Sequence, residues 1–305
     1  MTTLIAPAKV NLYLGVGPAR PDGLHPVTTV LCALELGDTV EVTPARALSL
    51  ICESDVGVPA PQNLAWRAAV AMGEAFGASP DFAIRVEKRV PAGAGLAGGS
   101  ADASAVIAAI AHAWDIRRSD PRIEGVAASL GADVPFSLRG GCGVYTGLGA
   151  THQRTLRVPA CHFAIVCGPE PVPTGAAYKA FDDAGRVSAP GPRHVTDAIS
   201  VGDLTDLGAA LFNNMTEAST GLVPLIAAQL DFMRATPGCL GAAMCGSGAA
   251  VFGVFPSAEE ARSASVAGVE RGWWSVATRP VAMGTLEQAM GPDPDAVVKV
   301  RHPRR

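Results

Sequence analysis

Residues 91–105 read Pro-Ala-Gly-Ala-Gly-Leu-Ala-Gly-Gly-Ser-Ala-Asp-Ala-Ser-Ala. Before this stretch, apolar residues alternate at Phe82, Ile84 and Val86, as in a strand, and after it residues 100–114 are rich in alanine, as in a helix. Glycines let a backbone turn tightly and approach a ligand closely. The start of a helix offers unpaired N–H groups and the positive end of the helix dipole. A strand, a glycine-rich loop and a helix in this order therefore predict a cradle for phosphate.

The glycine-rich loop alone leaves two interpretations open. The chain contains 34 glycines, and glycine-rich connections between strands and helices are common, so an ordinary turn is compatible with the sequence. The loop is not a Walker loop, because no Gly-Lys-Ser/Thr closes it. We also do not expect a dinucleotide-binding fold, nor a protein kinase, which carries its own set of further motifs. The functional interpretation that remains is a nucleotide loop of a different lineage.

Length and composition limit the class of protein. A chain of 305 residues indicates two domains or one large one, and a change of pattern near residue 150 places the boundary of the two-domain alternative there. A hydrophobic fraction of 49% is ample for a core, whereas aromatic residues make up only 5%, so small aliphatic residues must supply most of the packing. A formal charge of −4 argues against a nucleic-acid partner, which needs a basic surface. The basic segment 299–305 is interpreted as a solvated tail.

Apolar runs and cysteine usage predict a cytoplasmic location. No apolar run reaches membrane-spanning length and no secretory signal is evident, so we expect no membrane partner. The 7 cysteines are odd in number and include no Cys-x-x-Cys pair, which argues against a zinc site or a disulfide framework. Buried free thiols in a reducing cytoplasm fit this pattern better.

Periodicity along the chain predicts an alternation of strands and helices. The predicted strands are residues 3–16, 26–43, 82–90, 140–149, 162–167, 240–245, 249–255 and 273–281. The predicted helices are residues 62–76, 100–114, 119–130, 203–212, 222–235 and 257–272, with a further helix that carries Tyr178. Asn63, Ser119, Thr174 and a capping box at 257–260 are predicted to begin four of them. This mixture indicates the α+β class, with two packed layers.

Three separated segments carry a family resemblance. They are Pro7-Ala8-Lys9-Val10-Asn11-Leu12, the loop at 91–105, and Cys245-Gly246-Ser247-Gly248-Ala249-Ala250. In this order and spacing they resemble the GHMP kinases, the superfamily named for galactokinase, homoserine kinase, mevalonate kinase and phosphomevalonate kinase. The resemblance implies an N-terminal nucleotide domain of the ribosomal protein S5 domain 2-like type over residues 1–150. It also implies a ferredoxin-like substrate domain over residues 151–305, with a cleft between the two.

Two further segments narrow the resemblance. Arg20-Pro21-Asp22-Gly23-Leu24-His25 and Gly131-Ala132-Asp133-Val134-Pro135-Phe136 are similar to segments of the GHMP kinases that act on a cytidine diphosphate-linked methylerythritol. The similarity implies transfer of the γ-phosphate of ATP to the tertiary 2-hydroxyl of the methylerythritol unit, a step of the non-mevalonate route to isoprenoids. The expected partner is then this small-molecule substrate, and a monomer and a homodimer both stay open.

Lys9 and Asp133 match the catalytic pair of the family. A tertiary alcohol is a poor nucleophile at neutral pH, and a carboxylate within hydrogen-bond reach can accept its proton as the bond to phosphorus develops. A nearby ammonium keeps that carboxylate ionised and stabilises negative charge. Residue type alone favours a turn carboxylate for Asp133 and allows a strand-edge lysine for Lys9, so this assignment depends on the resemblance.

The glycine-rich loop matches the ATP loop of the family, whose N–H groups are implied to hold the β- and γ-phosphates. The implied ATP-binding residues are Pro91, Ala92, Gly93, Ala94, Gly95, Leu96, Ala97, Gly98, Gly99, Ser100 and Ala101. Mg²⁺ is expected because phosphoryl transfer from ATP needs its charge neutralised. The metal ligands stay open, since the Ser100 hydroxyl is suited to Mg²⁺ and to a phosphate oxygen. Asp102 and Ser104 are interpreted as stabilisers of the first helical turns.

Four residues match positions that contact the acceptor substrate in the family, namely Asn11, His25, Thr174 and Tyr178. The His25 ring is implied to stack on cytosine while its nitrogens bind the base, and a satisfied turn histidine is the alternative. Many family members have Tyr before this histidine, whereas this chain has Leu24, so Tyr178 is the expected aromatic partner of the base. The turn 246–248 either shapes the cleft near the transferred phosphate or is only a tight hairpin, and Cys245 is interpreted as packing.

Two alternative functions are kept. The first is another GHMP small-molecule kinase, acting on homoserine or a mevalonate-type acid, and the segment 22–25 together with Tyr178 argues against it. The second is a non-catalytic nucleotide-binding protein on the same fold. The presence of both Lys9 and Asp133 argues against this second alternative.

Overall fold

A computed structural model describes residues 1–53, 57–185 and 189–291, and it shows two packed layers that each combine a sheet with helices. The strands are β1 (Thr2–Val16), β2 (Val27–Pro44), β3 (Ser49–Cys52), β4 (Phe82–Glu87), β5 (Cys142–Thr146), β6 (Thr151–Leu156), β7 (His162–Cys167), β8 (Phe212–Asn213), β9 (Gly241–Met244), β10 (Val251–Phe255) and β11 (Trp274–Thr278). The helices are α1 (Leu64–Phe76), α2 (Gly98–Ala113), α3 (Pro121–Leu130), α4 (Val134–Arg139), α5 (Thr174–Asp183), α6 (Arg193–Val201), α7 (Leu204–Ala210), α8 (Thr216–Leu222), α9 (Leu225–Ala235), α10 (Ala258–Glu270) and α11 (Thr285–Met290).

The first layer is a sheet built around one long strand pair. β1 and β2 pair antiparallel along most of their length, and β1 has two irregularities, between Pro7 and Lys9 and between Asn11 and Tyr13. β2 also pairs with β4 through its second half and with β5 through its first half, while β5 pairs with β6. Irregularities of this kind re-aim side chains locally. Lys9 and Asn11 therefore lie on a short segment of β1 that has an irregularity in its pairing with β2 on each side.

Helix α2 follows the glycine-rich loop and packs on this sheet. Its residues from Ala101 to Ala111 are all buried, and most of them are alanines, which let β1, β2 and the helices α1 and α11 approach closely. The helix begins at Gly98, two residues before the predicted start, directly after Ala97 in a left-handed conformation with φ 60°. The glycine-rich loop is therefore shorter than the sequence suggests, and its last glycines belong to the first helical turn.

The second layer is a four-stranded sheet in which every pair is antiparallel. Its order, β11-β7-β10-β9, is 4-1-3-2 when the strands are counted along the chain, and helices connect β7 to β9 and β10 to β11. This is the split βαβ arrangement of ferredoxin-like domains. The predicted α+β class with a ferredoxin-like second half is confirmed.

The two layers share one core and exchange elements. Buried residues of β1 and β2 belong to the same hydrophobic cluster as those of β7, β9 and β10. β6 still pairs with β5, β8 pairs parallel with β1, and α11 packs on α2 although it follows the second sheet. The second sheet begins at His162. The division of the chain at residue 150 stays a prediction.

Two of the predicted helix starts are confirmed. The side chain of Asn63 accepts the N–H of Ala65 at 2.9 Å and caps α1. The side chain of Ser257 accepts the N–H of Glu260 at 3.2 Å and caps α10, as the capping box predicts.

At the two other predicted helix starts, the predicted residue does not cap the helix. The helix predicted to begin at Ser119 is capped instead by Asp120, whose side chain accepts the N–H of Arg122 at 3.0 Å. A carboxylate directly before Pro121 is a better-placed cap than a hydroxyl one residue earlier. The helix α5 begins at Thr174 as predicted, but Pro173 occupies the capping position, so Thr174 is not the cap. Thr174 instead lines the cleft that is described below.

The spacing of Gly93, Gly95 and Gly98 is formally Gly-x-Gly-x-x-Gly, so spacing alone does not exclude a dinucleotide-binding fold. The topology excludes it, because in that fold the helix after the loop leads into a strand parallel to the one before it. Here α2 is followed by α3 and α4, and the next strand, β5, pairs with β2 and β6 and not with β4.

Among the described residues, none of the helices is long and apolar enough to cross a membrane. The basic tail predicted at 299–305 lies outside the described residues.

Candidate active site

A cleft of about 630 Å³ lies where the two layers meet. Its wall combines β1 and β2 with the glycine-rich loop, the start of α4, the first turns of α5 and the turn 246–248. The predicted site residues on this wall are Lys9, Asn11, Asp133, Thr174, Tyr178 and all of residues 91–100. Two predicted site residues, Ala101 and His25, are buried behind the wall.

The glycine-rich loop is held between β1 and the connection from β9 to β10, which contains the turn 246–248 and is called the C-terminal turn below. The N–H of Lys9 donates to the carbonyl oxygen of Leu96 at 3.0 Å, and the N–H of Ala250 donates to the carbonyl oxygen of Ala94 at 3.0 Å. Gly95 has φ +77°, and a Cβ there would overlap the carbonyl oxygen of Cys245. Only glycine combines this backbone conformation with this close approach. Both layers thus fix the shape of the loop.

The start of α2 is directed at the cleft. Gly98, Gly99 and Ser100 form its first turn and line the cleft wall, and Ala97 before them provides no side-chain cap. The N–H groups of a first helical turn lack partners within the helix, and the helix dipole makes this end positive. This is the electrostatic environment that a phosphate group requires.

Lys9 is buried at the cleft wall beside the C-terminal turn. Its Nζ donates to Oδ1 of Asn11 at 2.8 Å, and the same oxygen accepts the N–H of Gly246 at 2.9 Å. The side-chain NH₂ of Asn11 donates to the hydroxyl of Thr29 at 2.9 Å. Asn11, predicted as a substrate contact, thus has partners inside the protein on both ends of its amide.

Asp133 occupies the position before α4, but its side chain makes no capping hydrogen bond. Its carboxylate is therefore not used to stabilise the helix and lies at the cleft wall. Across the cleft, burial raises the pKa of the Tyr178 phenol, and the negative charge of Asp133 raises it further. The two side chains are close enough to interact electrostatically, which brings Asp133 and the first turns of α5 together.

His25 lies behind Tyr178, at a ring-centroid distance of 4.9 Å, and is 6% exposed. Its Nδ1 is 2.9 Å from the carbonyl oxygen of Gly17, and its Nε2 is 3.4 Å from Oδ2 of Asp182. Both ring nitrogens therefore have protein partners in this structure. The ring supports Tyr178, whereas Tyr178 itself faces the cleft.

The turn 246–248 is fixed by side chains from three elements. Asn213 donates to the carbonyl oxygen of Gly246 at 2.8 Å, Ser219 donates to that of Ser247 at 2.8 Å, and Asn11 accepts the N–H of Gly246. The Ser247 hydroxyl lies 3.5 Å from that of Thr174, and both line the cleft. The turn thus shapes the cleft in addition to joining two strands.

Cys245 packs against this turn. It is fully buried, and burial raises the pKa of its thiol to about 12. A thiol in this state carries almost no thiolate at neutral pH and is a poor nucleophile.

A buried charge cluster next to the loop was missed from the sequence. The Nζ of Lys88 donates to Asp102 at 2.7 Å and also to Asp38, whose other oxygen accepts the N–H groups of Arg89 and Val90 at 2.6 and 2.8 Å. Asp102, interpreted above as a helix stabiliser, is therefore part of an ion-pair network. Lys88 and Asp102 both line the cleft. The signal available in the sequence was Lys88, a charged residue directly after the alternating residues of β4.

Two family models match the chain, the N terminal domain of the GHMP kinases over residues 63–141 and their C terminal domain over residues 195–270. The chain belongs to the GHMP kinase family. This membership confirms the resemblance seen in the three sequence segments, and it agrees with the two-layer architecture.

Named relatives cover most of the GHMP kinase chain. The 4-diphosphocytidyl-2-C-methyl-D-erythritol kinase of Desulfitobacterium hafniense (strain Y51) is 34% identical over 284 residues, which are 93% of this chain and 97% of the relative. The kinase of the same name from Mycobacterium tuberculosis (strain ATCC 25618 / H37Rv) is 38% identical over 255 residues, 81% of this chain and 79% of the relative.

Solved structures of GHMP kinases are similar to this chain over most of its length. A crystal structure of 4-(cytidine 5'-diphospho)-2C-methyl-D-erythritol kinase matches with a TM-score of 0.78 and 32% identity, covering 92% of this chain and 99% of that chain. Homoserine kinase from Cytophaga hutchinsonii matches with a TM-score of 0.71, 20% identity and coverage of 92% and 95%. At that identity the second match shows the fold alone.

Proposed function

We propose that this GHMP kinase transfers the γ-phosphoryl group of ATP to the 2-hydroxyl of 4-diphosphocytidyl-2-C-methyl-D-erythritol, in the non-mevalonate route to isoprenoid precursors. The relatives that share 34% and 38% of its residues carry the name of this kinase. The observation that carries the proposal in this chain is the shared cleft, in which Lys9 and Asp133 face the same space as the glycine-rich loop.

The glycine-rich loop supplies the ATP site. Residues 91–100 line the cleft, and the first turn of α2 presents N–H groups and a positive dipole end there. Ala101 is buried in the helix and supports this turn from behind. The loop residues thus bind phosphate through their backbone, which accounts for the predominance of glycine and alanine in the segment.

Asp133 acts as the general base in this proposal. A carboxylate with no capping hydrogen bond is free to accept the proton of the acceptor hydroxyl as the oxygen attacks phosphorus. Lys9 supplies a fixed positive charge at the same cleft wall, which stabilises the negative charge on the transferred group. Phosphoryl transfer needs little covalent chemistry from the protein, so positioning and charge account for most of the rate.

Mg²⁺ accompanies ATP in this proposal. The Ser100 hydroxyl is an oxygen donor of the kind that Mg²⁺ prefers, and it lines the cleft. Within the described residues there is no cluster of three or more His, Cys, Asp or Glu side chains that could hold a metal. This donor set fits Mg²⁺ that is bound mostly by phosphates and water, as is usual in kinases. When bound, the ion neutralises charge on the phosphates.

The acceptor substrate is bound by the second layer. Tyr178 and Thr174 on α5 and Ser247 on the C-terminal turn present one ring and two hydroxyls to the cleft. A tyrosine ring can stack on the face of a nucleotide base, and hydroxyls can form hydrogen bonds with the polar groups of a polyol. His25 contributes by supporting Tyr178, and Asn11 contributes through Lys9.

An acceptor panel tests the proposal. The purified protein is given ATP, Mg²⁺ and, in separate reactions, 4-diphosphocytidyl-2-C-methyl-D-erythritol, homoserine and mevalonate, and ADP release is measured. We expect turnover with the first acceptor, and ³¹P NMR should show a new phosphomonoester on a tertiary carbon. Preferential turnover of homoserine or mevalonate would assign a different GHMP kinase activity. ATP binding without turnover of any acceptor would indicate a non-catalytic nucleotide-binding protein.

A further inference from the structure

Thr29 lies on β2 at the cleft wall and is 2% exposed. Its hydroxyl donates to the carbonyl oxygen of Tyr13 at 2.7 Å and lies 2.9 Å from the side-chain nitrogen of Asn11. A carbonyl oxygen can only accept, so the single hydroxyl proton of Thr29 is committed to Tyr13. Toward Asn11 the hydroxyl can therefore act only as an acceptor, and it requires the NH₂ end of the amide.

The other end of the Asn11 amide has matching requirements. It faces the ammonium of Lys9 at 2.8 Å and the backbone N–H of Gly246 at 2.9 Å, and both of these groups can only donate. One orientation of the amide satisfies all three neighbours. The opposite orientation would place its NH₂ against two donors and its oxygen against a hydroxyl whose proton is already used.

The groups fixed in this way lie next to the glycine-rich loop, since the N–H of Lys9 donates to the carbonyl oxygen of Leu96 at 3.0 Å. A Cβ built on Gly246 would lie 3.1 Å from the carbonyl oxygen of Gly95 and 3.3 Å from Nζ of Lys9. The Lys9 ammonium, the C-terminal turn and the glycine-rich loop are therefore neighbours. Because Lys9 and Asn11 are buried, a hydrogen bond lost here is not replaced by one to bulk water.

We infer that Thr29 is a positioning residue for phosphoryl transfer. It fixes the orientation of the Asn11 amide, and through Asn11 it holds the Lys9 ammonium and the turn 246–248 in place against the loop. Thr29 does not contact the reacting groups itself. The inference rests on the proposed function, in which the Lys9 ammonium stabilises negative charge during transfer.

Thr29→Val is the direct test, because it removes the hydroxyl and keeps the branched shape. It leaves the Asn11 NH₂ without its acceptor, and we expect kcat to fall about tenfold with little change in KM for ATP. Thr29→Ser restores the hydroxyl and should recover kcat to within about twofold of the wild type. Thr28→Val, at the neighbouring position of the same strand, removes a half-buried hydroxyl away from the cleft and serves as the matched control.

A double-mutant cycle with Asn11→Ala separates positioning from a merely structural role. If Thr29 acts through Asn11, Thr29→Val should change kcat less than about twofold in the Asn11→Ala background. A loss that persists undiminished in that background overturns the inference, and so does wild-type kcat in Thr29→Val alone. If Thr29→Val does not fold, as judged by thermal unfolding, Thr29→Ala replaces it in the same cycle. Failure of the proposed function is recognised separately, since the wild-type protein would then not phosphorylate the acceptor at all.

Discussion

The ammonium of Lys88 lies 2.7 Å from the carboxylate of Asp102 and is shared with Asp38, so one buried positive charge serves two buried carboxylates. Asp102 is 4% exposed, and its second oxygen has no hydrogen-bond partner. Burial, and after it the charge of Asp38, raise the pKa of Asp102 to about 7 against the opposing effect of Lys88. The net charge of the cluster therefore depends on pH near neutrality, beside the first turn of α2.

This cluster predicts a pH dependence of stability. Between the ordinary value of 3.8 and about 7, the folded protein holds the Asp102 proton that the unfolded chain has already released. The folded state binds more protons in this window, so the free energy of unfolding contributed by Asp102 falls as pH rises, by at most about 1.4 kcal/mol per pH unit. Urea unfolding from pH 4 to 8 should show this slope in the wild type and lose it in Asp102→Asn. Asp231→Asn, on an exposed surface, should retain it.

Lys88→Met tests the same cluster by removing its positive charge. It leaves two buried carboxylates without their counter-charge, which typically costs about 3–5 kcal/mol for a buried pair. We expect a large loss of stability at pH 8 and a smaller loss at pH 5, where Asp102 is protonated. An equal loss at both pH values would show that Asp102 is not the titrating group.

Gly95→Ala should disrupt the loop selectively. Gly95 has φ +77°, and its Cβ would overlap the carbonyl oxygen of Cys245, so the loop or the C-terminal turn must move. We expect KM for ATP to rise about tenfold or more, with a loss of stability of about 1–3 kcal/mol. The matched control is Gly125→Ala on α3, where a Cβ meets nothing within 4 Å and alanine favours the helix. An unchanged KM for ATP in Gly95→Ala would exclude the loop from nucleotide binding.

Asp133→Asn should separate binding from chemistry. The amide keeps the shape of the side chain but cannot accept the proton of the acceptor hydroxyl, so kcat should fall by about 10²–10⁴. The dissociation constant for ATP, measured by calorimetry, should stay close to that of the wild type. Turnover at the wild-type rate would remove Asp133 from the mechanism.

The sequence predicted the parts of the fold that depend on local patterns. Segments rich in strand-forming residues located β1 and β2, a buried apolar run located β7, and the capping signals at Asn63 and Ser257 located α1 and α10. It missed β6, which reads Thr-His-Gln-Arg-Thr-Leu and is stabilised by pairing with β5, because a mostly polar strand has no periodic signal of its own. It also missed α4, α6, α8 and α11, which are six to nine residues long and gain their stability from tertiary packing.

The candidate site also has a part that could be predicted from the sequence and a part that could not. Motif order predicted which residues line the cleft, and Lys9, Asp133 and the loop do so. The interactions within the site depend on contacts between distant segments, such as the 235 positions that separate Asn11 from Gly246. No periodicity or motif reports such a contact, so the engagement of the Asn11 amide by the protein and the buried setting of His25 could be learned only from the structure.

His25 and Tyr178 provide the last prediction, which concerns the acceptor substrate. Tyr178 faces the cleft and His25 packs behind it, so Tyr178→Ala should raise KM for the acceptor about tenfold or more and leave KM for ATP unchanged, because one stacked base contributes about 1–3 kcal/mol. His25→Ala should act in the same direction by removing the support of the ring. If His25 acts only through Tyr178, the double variant should be no worse than Tyr178→Ala alone. A further tenfold rise in the double variant would show instead that His25 binds the substrate directly. Leu24→Ala is the control on the same loop, since Leu24 is 47% exposed and lies off the cleft wall, and its KM values should match the wild type.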